Sequence, residues 1–104
     1  VIKSGGEWIS SIELENLAMG HPDVAEAAVV AARHPKWDER PLLVVVPKAG
    51  REIAKQSVLD HIAPRVAKWW MPDDVVVVEE IPHTATGKIL KTKLRERFAG
   101  HFGA

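Results

Sequence analysis

The stretch Pro82-His83-Thr84-Ala85-Thr86-Gly87-Lys88 gathers two hydroxyls, an imidazole and an amine around one glycine. Hydroxyls and an ammonium on one loop suit a phosphate or another oxyanion, because hydrogen bonds to an ionised oxygen are the strong ones. Gly87 permits tight backbone geometry beside the lysine. A Gly-Lys pair also ends the Walker A pattern, but that pattern needs a glycine where Pro82 stands and Ser or Thr where Ile89 stands. A Walker A loop is therefore excluded. The residue types alone leave two readings open: an oxyanion-binding loop centred on Thr84, Thr86, Gly87 and Lys88, or a solvated turn that contains a lysine.

Other residues with chemical potential are more dispersed. Gly5-Gly6-Glu7-Trp8 near the start fits either a backbone lying against a thin ligand or a plain Gly-Gly turn into a capped helix. Trp69-Trp70 ahead of Met71-Pro72 reads as a core anchor with a half-exposed neighbour. The histidines at 21, 34, 61, 83 and 101 lack the spacing of metal ligands, so no metal site is expected. Lys91, Lys93, Arg95 and Arg97, with Glu96 among them, read as a solvated helix face.

These residues need a scaffold, and the pattern of apolar residues predicts one. Val1–Lys3 reads as a short strand entering a turn at Ser4-Gly5-Gly6. Ser10 with Glu13 has the spacing of a capping box, and Ile12, Leu14, Leu17 and Ala18 give the helix that follows an apolar side, stopped by Gly20 and Pro22. Val24–Arg33 and Leu42–Pro47 read as buried strands. The connector between them, His34 to Pro41, is too short for a helical crossover, so they pair antiparallel. Leu59, Ile62, Val66 and Trp70 predict a helix over 57–70, kinked or restarted at Pro64. Val75–Val78 reads as a third, central strand. Leu90, Leu94 and Phe98 mark a final helix. The expected fold is α+β: a small antiparallel sheet of about three strands with helices packed on it, preceded by a short N-terminal strand and turn.

The bulk properties bound the function. A chain of 104 residues is about one domain, and 46% hydrophobic with 27% charged residues is ordinary for a globular protein. Fourteen basic and fourteen acidic residues cancel, which gives no electrostatic reason to expect nucleic acid or an anionic membrane as partner. Apolar runs such as Leu42–Val46 are far short of the ~20 residues of a membrane helix. The chain has no cysteine, so disulfides and thiolate–metal sites are excluded and a reducing cytoplasm is the expected setting. The opening Val-Ile-Lys-Ser-Gly-Gly has no signal-peptide character and no initiator methionine, and reads as the start of a piece of a longer protein.

Two segments carry a resemblance. Pro82-His83-Thr84-Ala85-Thr86-Gly87-Lys88-Ile89-Leu90-Lys91, followed by Leu94-Arg95, resembles the closing signature of the adenylate-forming (AMP-binding) superfamily. Ile2-Lys3-Ser4-Gly5-Gly6-Glu7-Trp8-Ile9, then Glu13-Leu14-Glu15, resembles the segment that follows that superfamily's interdomain hinge. The order and separation of the two span nearly the whole chain. Details around His34–Pro41 and Lys68–Pro72 are most similar to the fatty acyl-CoA ligase branch, including medium-chain, long-chain and methylthiopropionate-type enzymes.

The resemblance implies the small C-terminal lid domain, residues 1–104, of an acid–thiol ligase whose large ATP- and acyl-binding domain lies upstream. Such enzymes join a carboxylate to ATP·Mg²⁺, releasing pyrophosphate, and then pass the acyl group to CoA, releasing AMP; the small domain rotates between the steps. Lys88 matches the adenylation lysine, with Thr86 and Gly87 beside the nucleotide. Its ammonium, with an unperturbed pKa of ~10.4, stays charged and can bridge carboxylate and α-phosphoryl oxygens. Gly5, Gly6, Glu7 and Trp8 match the loop that lines the tunnel for the CoA thiol arm. Trp70 stands where relatives carry a basic residue, which puts a CoA contact there in doubt. Lys88 also stands where lysine acetylation silences such ligases, by removing the charge. The implied partners are the enzyme's own large domain and its small-molecule substrates, ATP, fatty acid and CoA, none held tightly by this domain alone. A competing expectation is a stand-alone, non-catalytic binding module of the same fold; an unrelated α+β domain would require both signatures to be accidents.

Overall fold

The computed structural model describes residues 2–103; Val1, expected to open the first strand, lies outside them. The chain runs β1 (Ile2–Ser4), β2 (Glu7–Ile9), α1 (Ser11–Met19), β3 (Val24–His34), β4 (Asp38–Pro47), α2 (Lys55–Ile62), two 3₁₀ turns (Ala63–Arg65 and Lys68–Trp70), β5 (Asp74–Val77) and α3 (Lys91–Phe98). The α+β expectation holds, but the sheet is larger and mixed rather than three-stranded and antiparallel. Five strands join it, in the order β2-β1-β4-β3 with β5 also on β4.

The long β3–β4 hairpin is its spine, paired antiparallel from Val24↔Pro47 to His34↔Asp38. The polar connector is shorter than the sequence predicts, because both strands run into it and leave only Pro35, Lys36 and Trp37 outside. Asp38 closes the turn at φ +69°, a left-handed conformation that aspartate tolerates better than most residues. β5 was expected to be central; it is an edge strand, parallel to β4 from Leu42↔Asp74 to Val45↔Val77. The reason is the connection: the chain between β4 and β5 includes a helix and crosses over the sheet, which returns a strand parallel to its predecessor.

Alternation along the strands sorts the core into two faces. Ala27, Val29, Leu43, Val45 and Val75 pack with Leu14 and Ala18 of α1 and Val58 and Ile62 of α2. Ala28, Val30, Leu42 and Val44 pack with Ile81 and with Leu94 of α3. A sheet covered on both faces needs apolar residues on both sides of its strands, so Ala27–Ala32 of β3 and Leu42–Val46 of β4 are unbroken apolar runs.

Helix ends follow local chemistry. Ser10 caps α1, its Oγ accepting the Glu13 N–H at 3.2 Å. The helix expected over 57–70, kinked or restarted at Pro64, is instead α2 followed by two 3₁₀ turns. Pro64 cannot donate to the ladder, and Val66 and Ala67 are already extended. Glu15 covers the outer edge of β3: its Oε2 accepts the Val29 N–H at 2.7 Å and pairs with Lys91 Nζ at 2.7 Å. Lys91 is thus half-buried and tied to α1, not part of a solvated face; Lys93, Arg95 and Arg97 are exposed.

Candidate functional site

Residues 82–90 fold back on themselves. His83 bridges Ile89 as an antiparallel pair, the Leu90 N–H donates to the Pro82 carbonyl at 2.8 Å, and the Thr84 N–H donates to the Lys88 carbonyl at 2.7 Å. The Gly87 N–H closes the tip on the Thr84 carbonyl at 2.9 Å, with Gly87 at φ +85°. This is the bond pattern of a three-residue hairpin loop with a left-handed glycine, and glycine adopts that conformation without penalty. Thr84 Oγ1 lies 3.0 Å from Thr86 Oγ1 and accepts the Lys88 N–H at 3.3 Å. Ile81, Ile89 and Leu90 seat the base, while Ala85, Thr86, Gly87 and Lys88 are exposed. A side-chain tie to the sheet is His83 Nε2 to Glu26 Oε1 of β3, at 2.6 Å. The lysine therefore stands at the mouth of a braced hairpin, its amine free to meet an anion brought from outside.

The Gly5-Gly6 turn is a different construction. Ser4↔Glu7, Lys3↔Trp8 and Ile2↔Ile9 pair across it, so Gly5 and Gly6 are the whole loop. Their φ values of +53° and +89° mirror a type I turn, the hairpin geometry that demands positive φ at both central residues. Gly5 has a second constraint. Its N–H donates to the Trp37 carbonyl at 2.8 Å, and a Cβ there would lie 2.9 Å from the Trp37 ring. Gly6 has open space instead. The sequence suggested a turn leading straight into the helix; the structure inserts β2 between them.

Beside this turn lies a groove of about 440 Å³, lined by Ser4, Gly5, Glu7, Trp37, Arg40, Trp69 and Asp73. Trp37 and Trp69 are 43% and 44% exposed, so both keep apolar area for a ligand or a neighbour. The Lys36 ammonium sits 4.9 Å from the centre of the Trp37 ring. Gly5 and Glu7 both line this groove. Trp8, on the alternate face of β2, does not line the groove; it is 59% exposed, with Lys3 Nζ 5.9 Å from its ring. Trp37, Arg40 and Asp73 were missed as site residues. Their only sequence signal is a charged Arg-Pro pair running into an apolar strand, and that signal does not name its partner.

The hairpin and the turn do not meet. Ser4 pairs with Asp38, at the start of β4. Glu26, which holds the lysine hairpin, pairs with Val46 near the end of β4. The stretch from Asp38 to Val46 is about 27 Å at ~3.4 Å per residue. Among the described residues, no group of three or more His, Cys, Asp or Glu could hold a metal ion, and no helix is long and apolar enough to cross a membrane.

Residues 13–88 match the AMP-binding enzyme C-terminal domain family. The chain belongs to that family. The match takes in Thr86, Gly87 and Lys88 and starts after the Gly5-Gly6 turn. Over 98 residues this AMP-binding C-terminal domain is 53% identical to the medium-chain-fatty-acid–CoA ligase of Ectopseudomonas oleovorans, covering 94% of this chain and 18% of that protein. It is 55% identical over 98 residues to the 3-methylmercaptopropionyl-CoA ligase of Ruegeria lacuscaerulensis, again covering 94% and 18%. The fold is similar to that of ATP-bound MatB from Rhodopseudomonas palustris, with a TM-score of 0.91 and 30% identity over 96% of this chain and 20% of that one. The chain thus spans about a fifth of the length of the relatives it matches.

Proposed function

We propose that this chain works as the C-terminal domain of an ATP-dependent fatty acyl-CoA ligase, together with a large domain that binds ATP and the acyl group. In the first half-reaction a carboxylate oxygen attacks the α-phosphorus of ATP, which enters as its Mg²⁺ complex, and pyrophosphate leaves. In the second the CoA sulfur attacks the acyl carbonyl, and AMP leaves. Lys88 serves the first: a fixed cation at the α-phosphoryl oxygens stabilises the charge that gathers there in the transition state, and positioning supplies the rest. Thr86 and Gly87 shape the hairpin that presents it. Gly5, Gly6, Glu7 and Trp8 serve the second, lying along the thiol arm of CoA, where glycine lets the backbone approach closely. The domain alone completes neither step and holds no substrate tightly. A cytoplasmic setting, where ATP and CoA are at hand, fits this activity.

The observation that carries the proposal is the exposed Lys88 on a braced hairpin, in a chain more than half identical to named CoA ligases. The separation of the two candidate sites supports it as well, since one small domain could then offer a different end to each half-reaction. The test is pyrophosphate release and acyl-CoA formation with ATP, Mg²⁺, CoA and a panel of fatty acids. It compares the 104-residue chain alone with the chain joined to the large domain of the Ectopseudomonas oleovorans ligase. Activity only in the joined form is the expected result; turnover by the chain alone would overturn it.

A further inference from the structure

One buried arginine fixes the groove beside the Gly5-Gly6 turn from beneath. The side chain of Arg40 is 10% exposed. Its Nε donates to Asp73 Oδ1 at 2.7 Å, its Nη1 to Ser4 Oγ at 2.8 Å and to the Trp69 carbonyl at 2.9 Å, and its Nη2 to the Met71 carbonyl at 2.8 Å. Ser4, Trp69 and Asp73, from three separate stretches of the chain, all line the groove. Ser4 is the last residue before Gly5, and Trp69 is one of the walls.

Stability alone does not call for such a group. A buried ion pair roughly breaks even against well-packed apolar residues of similar volume, so its distinctive contribution is geometric. Only the planar fork of a guanidinium can hold several acceptors at fixed angles; a lysine ammonium is one point on a flexible stem. Ser4 pairs with β4 at Asp38, and the 3₁₀ turn at Lys68–Trp70 follows a break in the helix, so neither wall belongs to a long regular element. Arg40 supplies a direct bridge between them.

We propose that Arg40 is a positioning residue for the thiol substrate. By holding Ser4 and the Trp69 carbonyl at a set separation it fixes the width of the groove next to Gly5 and Glu7, while touching no reacting atom itself. The inference rests on the reading above that Gly5 and Glu7 lie along the CoA arm.

The test uses the chain joined to the large domain of the Ectopseudomonas oleovorans ligase and follows KM and kcat for each substrate. Arg40→Lys is expected to raise KM for CoA about tenfold and to leave KM for ATP and acyl-adenylate formation within about twofold. Ser4→Ala keeps the arginine and deletes one acceptor, on the turn side; it is expected to raise KM for CoA in the same sense by about threefold. In the 104-residue chain, Arg40→Lys should also increase acrylamide quenching of tryptophan emission, because Trp37 and Trp69 line the groove. If ATP and CoA parameters worsen together, Arg40 is merely structural and the inference fails. If Arg40→Lys does not fold, Ser4→Ala decides: an unchanged KM for CoA overturns the inference. A joined wild type that forms acyl-adenylate but no acyl-CoA overturns the reading of the groove itself. An active wild type with indifferent variants overturns the positioning role alone.

Discussion

The lysine hairpin and the Gly5-Gly6 turn both depend on glycines in the left-handed region, yet they are anchored in opposite ways. The hairpin is a protrusion: its backbone bonds are internal, its tip is exposed, and an imidazole–carboxylate contact, His83 to Glu26, ties it to β3. The turn is embedded: Trp37 presses on Gly5, and Arg40 links its neighbour Ser4 to the Trp69 carbonyl. A protruding cation can meet a phosphate presented by another body, whereas an embedded turn can define the shape of a channel. The two ends also lie about 27 Å apart along β4, too far to act on one small substrate at once.

The sharpest way to break this contrast is to remove the cation. Lys88→Ala in the joined enzyme is expected to lower adenylation about 10²–10³-fold, as for loss of one preorganised charge donor at a transition state. Thioester formation from supplied acyl-adenylate should be nearly unaffected. Stopped-flow pyrophosphate release and acyl-CoA formation measure the two separately. Because Lys88 is exposed and its backbone bonds do not involve its side chain, the melting temperature of the chain should stay put.

At the embedded end the expected effects fall on stability. Arg40→Ala leaves Asp73 and two carbonyls without their buried donor and should destabilise the chain by about 3 kcal/mol, the lower end for a broken buried pair because Asp73 is partly exposed. Urea unfolding followed by circular dichroism reads this directly. Gly5→Ala should cost about 2 kcal/mol, since positive φ and the Trp37 ring act together, and Gly6→Ala about 1 kcal/mol, from φ alone. Equal costs would mean that Trp37 yields and that the turn is less embedded than described.

The smallest effect is a pH dependence at Asp74, which follows Asp73 of the groove. Burial raises the Asp74 carboxyl, but His101 Nε2 at 2.7 Å, the Val75 N–H and Lys55 outweigh it, so Asp74 sits below its ordinary value. A carboxylate held low in the folded state contributes stability that is fully present above its unfolded pKa of ~3.9 and is lost as pH falls through the folded value. Urea midpoints should therefore drop in acid below about pH 4, and Asp74→Asn should flatten that part of the curve.

The sequence disclosed these regions unequally, for physical reasons. Local chemistry was legible. The Ser10 cap, the glycine at the hairpin tip, the Gly-Gly turn and the apolar strands of the spine each follow from a residue and its near neighbours. What sequence reading missed depends on distant partners. β2 is three residues long and has no period to detect. β5 looks central because Val75–Val78 is an apolar run, yet it lies at an edge, with Val75 and Val76 packed into the two cores on either side of the sheet. Lys91 looks like one cation in a solvated row until Glu15 arrives from the other end of the chain. Arg40 is the clearest case: nothing near it in sequence announces Ser4, Trp69, Met71 or Asp73. The signature residues of the candidate site were readable, and the residue that braces the groove was not.

The most direct test of the division between the two ends is a crossed half-reaction assay on two variants of the joined enzyme. Lys88→Ala removes the protruding cation. Gly6→Asn adds bulk to the turn where there is open space, using a residue that tolerates the left-handed region. The account predicts mirror-image losses: Lys88→Ala fails in acyl-adenylate formation and retains thioester formation, and Gly6→Asn does the reverse. Loss of the same half-reaction in both variants, or of both half-reactions in either, would contradict it.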